Sequence, residues 1–469
     1  VPGGRHDVAA TSICFWFPGF LRYISGMTAL SHAYQYAFSS ALSTEGRPRL
    51  TLATSNANEQ PHFFTGQLRQ PRLASELLTA VHLIVGSRFF MPANSLAKVL
   101  RLADPVVTCG EGSLRFEGFS GCCSTYIRAD FLPAGYEGQV VRKGTTNVDF
   151  NAPMRAALAR LRDADGLELL VGADEVTLRS AKDKITENKV ELPLRWLRGM
   201  LEVQSYQAGM RLRHTMNGVE ALRFLRVLPR NANGREPLWI VPGPMGLRTT
   251  ARQSDDGVRM SDSSRLRVLE VLAPKAKSVS LYADDAQQSS AWVLDFGGMR
   301  LTLALSAETW RGFSGEGQAL RALLRASGTP ALSAVRAQLN WQDALDPAAI
   351  ARQLVLPASE VKDALLVLGA TGLVGFDVAE SRYFHRVLPF DLSLVEDLNP
   401  RLASARELME LGAVSIERVQ PLEATVASGG TLHRVRMVND ELHCTCPWFA
   451  KHQGARGPCK HVLAVEAAR

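Results

Sequence analysis

The stretch CTCPWFAKHQGARGPCKH, residues 444–461, gathers three of the chain's seven cysteines and two of its ten histidines. Upstream, LEATVAS, a Gly429-Gly430 turn, TLHRVRM, an Asn439-Asp440 turn and ELHCTC read as a short meander of strands. Cys444 and Cys446 stand two apart on its last strand, so their side chains project the same way. Pro447 ends that strand. Gly457-Pro458 then precede CKHVLAVEAAR, which has the residues of a short helix, with Cys459 and His461 in its first turn. Two donors thus leave a strand end and two leave a helix start, joined by a loop over 447–458.

Zinc(II) takes four sulfur or imidazole donors at tetrahedral angles, and Cys444, Cys446, Cys459 and His461 provide three thiolates and one imidazole. A site filled by four protein ligands keeps no open position for water, so one structural Zn2+ is expected. His443 and His452 are rival nitrogen donors, His443 pointing away from its neighbour Cys444 and His452 lying in the loop. A Cys444–Cys446 disulfide is geometrically poor, because residues two apart on a strand hold their Cα atoms near the upper limit for a bridge. The other cysteines do not form a disulfide framework. Cys14 and Cys109 are isolated, and Cys122-Cys123, in a segment that reads as a strand, suit buried small hydrophobes. Free thiols and a thiolate site match a reducing cytoplasm.

Cys-x-Cys, a short loop and Cys-x-His after a small β-meander resemble the SWIM zinc finger, with KHVLAV similar to the helix that follows in that family. The architecture as a whole resembles bacterial SWIM zinc finger family proteins, some encoded beside AAA+ ATPases and von Willebrand A-domain proteins. The resemblance implies zinc binding and contact with DNA or protein, with those two classes as candidate protein partners. It implies no reaction, and the chain is expected not to be an enzyme. WRGFSGEG is neither a P-loop, lacking Gly-Lys-Ser/Thr, nor a nucleophile elbow, since Glu316 stands where the closing glycine belongs.

The remaining chain reads as a multidomain α+β protein. Residues 1–26 are apolar in part, yet shorter than a membrane span and broken by Pro18-Gly19, so no membrane association is expected. They read as an extension or mis-assigned start, with a signal-like segment as the alternative, and Met27 opens a helical pattern, MTALSHAYQYAFSSAL. Within an α+β region over 27–260, Leu77, Val81, Ile84 and Val85 keep helical spacing. NSLAKVLRLADPVVTCGEGSLRFEG then recurs 62 residues later as MRAALARLRDADGLELLVGADEVTLRS, a duplicated helix-plus-hairpin unit. The polar stretch 249–264 marks an internal boundary, and 261–328 continue the α+β pattern, with a hairpin at Gly297-Gly298.

From 329 to 392 three short helices and a two-stranded ribbon make a winged-helix-like segment, its second helix capped by Asp346 with Pro347 at the first position. Its third helix, opened by Ser359, offers Glu360, Lys362 and Asp363. His385, Arg382 and Arg386 are its obvious phosphate contacts. The small ββα-type finger occupies 405–469.

The net charge is +7, which permits nucleic-acid binding without requiring it. Between Arg195 and Lys275 there are 14 basic and 7 acidic residues. Arg223, Arg226 and Arg230 recur there at helical spacing, as a solvated face or a phosphate-binding stripe. In the finger, Lys451, Arg456 and Lys460 with Trp448 and Phe449 give a phosphate-and-stacking surface. The two readings are a zinc-binding protein that mediates protein interaction in a multi-protein assembly, and a DNA- or RNA-binding protein using the finger and the arginine-rich middle.

Overall fold

The computed structural model describes residues 41–43, 49–52, 64–87, 105–147, most of 155–171, 194–229, most of 238–313, positions 320, 323 and 324, residues 329–388 and residues 400–469 without 455. The extension 1–26, the repeat's first helix over 94–104 and the far arm of its second hairpin lie outside these residues, as does Arg230. Ala41 and Leu42, expected to close a helix, belong to a strand, Ala41–Ser43.

Five strands form a first sheet in the order β1-β2-β9-β3-β7: β1 Ala41–Ser43, β2 Arg49–Leu52, β3 Phe64–Leu68, β7 Tyr136–Val140 and β9 Glu168–Val171. An eight-stranded antiparallel sheet runs β10-β14-β15-β16-β6-β5-β4-β8. Its members are β4 Val106–Cys109, β5 Leu114–Phe119, β6 Thr125–Phe131, β8 Gly144–Asn147, β10 Met210–Met216, β14 Ser278–Asp284, β15 Ser289–Asp295 and β16 Met299–Ser306. This sheet runs across residue 260. The 249–264 stretch instead belongs to a three-stranded sheet of β11 Leu238–Gly243, β12 Gly246–Thr250 and β13 Val258–Met260.

Helix α1, Pro71–Val85, begins at a proline whose missing N–H costs nothing there, and it buries Leu77, Val81, Ile84 and Val85 against β5 and β6. The β15–β16 turn sits on Gly297 at φ 93, a conformation open to glycine. Residues Ser263–Leu269 wind as a 3₁₀ helix. Cys122 and Cys123 are not on a strand: they make the tight turn between β5 and β6, with Cys123 at φ 55. Helices α2, Leu194–Gly209, and α3, Gly218–Val227, complete this part; Asn217 and Glu220 close a capping box on α3.

Three helices follow, α4 Pro330–Ala337, α5 Pro347–Leu354 and α6 Ala358–Ala370, then a ribbon of β17 Val374–Asp377 and β18 Arg382–His385. Asp346 caps α5 through the N–H of Ala348. Ser359 does not cap α6, which starts one residue earlier behind Pro357. The ribbon closes over one face of the eight-stranded sheet. Alternation along β5, β6 and β16 puts Leu114, Phe116, Ile127, Ala129 and Leu301 on one side, and Arg115, Glu117, Arg128, Asp130 and Arg300 on the other. The polar side is buried as deeply as the apolar one.

Charges so buried persist only when paired. Arg128 binds Asp130 at 2.9 Å, Asp377 at 3.1 Å and the Phe376 carbonyl at 2.8 Å. Arg300 reaches Asp377 at 3.1 Å and Glu380 at 2.6 Å, and Arg115 reaches Asp343 at 2.7 Å. Burial would raise the Asp377 carboxyl, but Arg128 and then Arg300 outweigh it and hold it below the ordinary range. Arg386, 1% exposed, pairs with Glu117, which also accepts from the Tyr126 hydroxyl at 2.7 Å. Phe384 lies beneath three guanidinium groups, those of Arg115, Arg128 and Arg386, at 4.3, 5.1 and 5.8 Å. His385 is buried too, its Nδ1 accepting from the Trp341 N–H at 2.6 Å. Neither Arg386 nor His385 is therefore presented to a phosphate, in contrast to the sequence expectation; Arg382 is exposed.

Two predictions follow from this packing. Arg386→Leu leaves Glu117 buried without its partner and is expected to cost about 3–5 kcal/mol in urea unfolding. The double variant Glu117→Leu/Arg386→Leu should recover part of that loss, and a double variant as unstable as the sum of the singles would contradict the pairing. The second concerns pH. Burial holds His385 down to about 4, and burial with Arg155 nearby does the same for His82. Below the ordinary value of 6.5 the unfolded chain takes up protons at both rings that the folded chain excludes. Stability should therefore fall as pH drops from about 6.5 towards 4, and His82→Gln/His385→Gln should flatten the Tm profile in that window; an unchanged slope would refute it.

Candidate metal centre

Helix α7, Pro400–Glu410, leads into a four-stranded antiparallel sheet ordered β19-β20-β21-β22: Val414–Val419, Leu422–Ser428, Thr431–Val438 and Glu441–Cys444. The turns fall where the sequence placed them. Gly429 and Gly430 take φ 58 and 74, and Asn439 and Asp440 take φ 50 and 62. Strand β19 and helix α7 were not anticipated. The inner face of the sheet, with Ala424, Val426 and Val435, packs against helix α9, Lys460–Ala468, through Val462, Leu463 and Val465. Leu402, Ala405 and Leu408 of α7 join this core, as do Val367 and Ala370 of α6.

Three elements deliver the four donors. Cys444 ends β22, opposite Val435. Cys446 lies beyond the strand, not on it: it is the N-cap of a short helix, α8 Pro447–His452, and its Sγ accepts from the Phe449 N–H at 3.3 Å. The linking segment thus contains a helix where a loop was expected. Cys459 caps α9, its Sγ accepting from the Val462 N–H at 3.4 Å, and His461 follows in the first turn. All four are buried, and their ligand atoms lie within 4.8 Å of one another. Cys444 Sγ stands 3.7 Å from His461 Nδ1. Tetrahedral zinc with sulfur at about 2.3 Å and nitrogen at about 2.0 Å spaces such donors about 3.5–3.8 Å apart, so the cluster fits the ion.

The electrostatics agree. Without a cation the three sulfurs compete for one negative charge. The Cys444 thiol donates to Cys459 and holds it down to about 4, assisted by His461 and the Val462 N–H. The same contact, with burial, pushes Cys444 up, and burial raises Cys446. A divalent ion among them removes that competition, and three thiolates become compatible with burial. Four protein donors complete the tetrahedron, which makes the ion structural.

The rival histidines lie elsewhere. The His443 ring packs on Phe449 at 5.3 Å and His452 on Trp448 at 4.9 Å. Two other neighbours escaped the sequence reading. His433 tilts against the His461 ring at 4.3 Å. Arg401, on α7, donates to the carbonyls of Arg456 at 2.9 Å and Pro458 at 2.8 Å, and lies 4.6 Å over the Trp448 ring. It fixes the segment that delivers Cys459. One arginine in a helical stretch 55 residues upstream of Arg456 carries no sequence signal of that role.

The candidate contact residues divide. Lys451 is exposed, while Trp448, Arg456 and Lys460 are half-buried. Phe449, 8% exposed, fills the finger core and presents no ring for base stacking. Arg223 and Arg226 are exposed on α3, away from the finger's core. The outer face of the finger sheet adds exposed Arg418, Arg434 and Arg436, the last two alternating on β21. Their period-two spacing in TLHRVRM was a legible signal.

Metal analysis of the purified protein should give one zinc per chain. Cys446→Ser should lower that content and melt the finger, since zinc binding at such sites contributes about 10–16 kcal/mol apparent. A zinc content unchanged by the substitution would contradict the ligand assignment.

No curated protein matches the chain by sequence. Among solved structures, proliferating cellular nuclear antigen from Entamoeba histolytica is matched at 14% identity and a TM-score of 0.34, over 52% of this chain and 98% of that one. At the C-terminus, residues 433–469 match the SWIM zinc finger family, and all four metal donors fall within that match: this segment of the chain is a SWIM zinc finger.

Proposed function

We propose that this is a non-enzymatic, zinc-binding protein whose finger mediates protein contacts in a multi-protein assembly. The observation that carries the reading is the position of α6. In the winged-helix-like reading of 329–392, α6 is the helix that would enter a DNA groove. It lies instead between two cores: Val361, Ala364, Leu365 and Leu368 face the main core, and Val367 and Ala370 face the finger core. The ribbon that would be the wing is pinned to the sheet by Arg128, Arg300 and Arg386. A unit so enclosed suits a scaffold that holds the finger in place. Bacterial SWIM zinc finger family proteins, which the chain resembles, suggest AAA+ ATPases and von Willebrand A-domain proteins as partners, in the cytoplasm.

A second reading rests on Arg434, Arg436 and Lys451, which give the finger an exposed basic surface suited to DNA or RNA phosphates. Salt separates the two. A nucleic-acid complex weakens log-linearly with salt, by one counterion per neutralised phosphate. The favoured reading predicts no binding of single- or double-stranded probes at about 50 mM salt. It also predicts discrete proteins co-purifying with the tagged chain and lost on Arg434→Glu/Arg436→Glu. Probe binding with a steep salt slope, abolished by that pair, would overturn it in favour of the second.

A further inference from the structure

A cleft of about 540 Å³, open to solvent on one side, lies between α1, the segment 158–162 and the 3₁₀ helix 263–269 with the residues after it. Its walls are tied together. The Ser75 hydroxyl donates to the Leu158 carbonyl at 2.7 Å, the Arg72 N–H donates to Asp163 at 3.1 Å, and Lys275 pairs with Glu76. The cleft is therefore preformed, which lowers the ordering cost of binding. Leu158 and Leu161 form its buried floor, and Leu83 and Val271 stand at its mouth, 56% and 63% exposed.

The rim is basic. Glu76 is the one carboxylate among the described lining residues, and Arg72 takes it at 3.2 Å as well as Lys275. Four arginines line the same cleft. Arg267 meets Glu270 and the Leu228 carbonyl, and the side chains of Arg160 and Arg162 reach solvent at the rim. Through Leu228 the rim continues to the end of α3, whose exposed face carries Arg223, Arg226 and Val227.

We infer that this cleft docks an acidic amphipathic helix of a partner protein. Leucine-type side chains of the partner enter over Leu158 and Leu161, and Asp or Glu flanking them meet Arg160 and Arg162. The apolar floor sets the site apart from a phosphate-binding surface, and among the described residues no aromatic ring lines it for base stacking. The α1 wall of the cleft runs from Arg72 to Leu83, about 17 Å, room for about three turns of a partner helix. This surface is separate from the finger and does not depend on the zinc-centred function.

The test is selection of peptides from a random library of about 16-residue segments on the zinc-loaded full-length protein. Recovered peptides should combine helically spaced apolar residues with flanking Asp or Glu. Leu83→Lys and Arg160→Glu/Arg162→Glu, all at exposed positions, should each weaken their binding about tenfold or more. Cys446→Ser should leave it unchanged, which separates this site from the finger. Recovery of no peptide, of peptides without acidic residues, or of peptides indifferent to the cleft substitutions would overturn the inference. So would a DNA oligonucleotide of about 20 nucleotides whose binding is lost with the same substitutions while peptides do not bind.

Discussion

Three sulfurs and an imidazole nitrogen, brought within 4.8 Å by a strand end and two helix starts, are the constraint around which residues 400–469 are built. Each donor sits where the backbone turns. Cys444 ends a strand, Cys446 and Cys459 each cap a helix, and His461 lies one residue into the second. The apolar core around Val426, Val435, Val462 and Leu463 draws on α6 and α7 as well as the finger's own sheet, and zinc is the element that joins the finger's strands to its helices. Arg401 adds a second tie, holding α7 to the carbonyls just before Cys459.

The finger does not hang from a free tether. Its core takes in Val367 and Ala370 of α6, and the opposite face of α6 joins the main core. The ribbon after α6 is fastened by charges no longer in water. Burying such a network is no better for stability than well-packed apolar side chains, but removing one partner is costly. The network therefore fixes where the ribbon lies more than how firmly the chain folds. It sets one route of order from the eight-stranded sheet, through Asp377 and Arg386, to α6 and on to the finger.

The finger was legible because metal ligation fixes residue type and spacing. Cys-x-Cys and Cys-x-His named the four donors, and Gly429-Gly430 and Asn439-Asp440 named the turns. What could not be read was the N-cap role of Cys446, since Thr445 gives no sign that the strand stops at Cys444. Helix α1 and the Asp346 cap were equally legible, from local periodicity and local hydrogen bonding. The role of Arg386 was not. Alternating Arg115, Glu117, Arg128 and Asp130 read like the wet face of any antiparallel strand, and only the tertiary arrangement shows that a ribbon some 250 residues away in sequence covers them. The exposed Arg386 that the ribbon pattern suggested is thus a buried partner of Glu117. The pair Cys122-Cys123 was misplaced for a local reason. Its apolar flanks resemble a strand, yet Gly121 and Ser124 favour the turn that forms.

The most direct test is X-ray absorption at the zinc edge on the intact, purified protein. The account predicts one zinc whose shell holds three sulfurs at about 2.3 Å and one imidazole nitrogen at about 2.0 Å, with no bound water. A shell of nitrogen and oxygen alone, or a finger that stays folded without zinc, would contradict it.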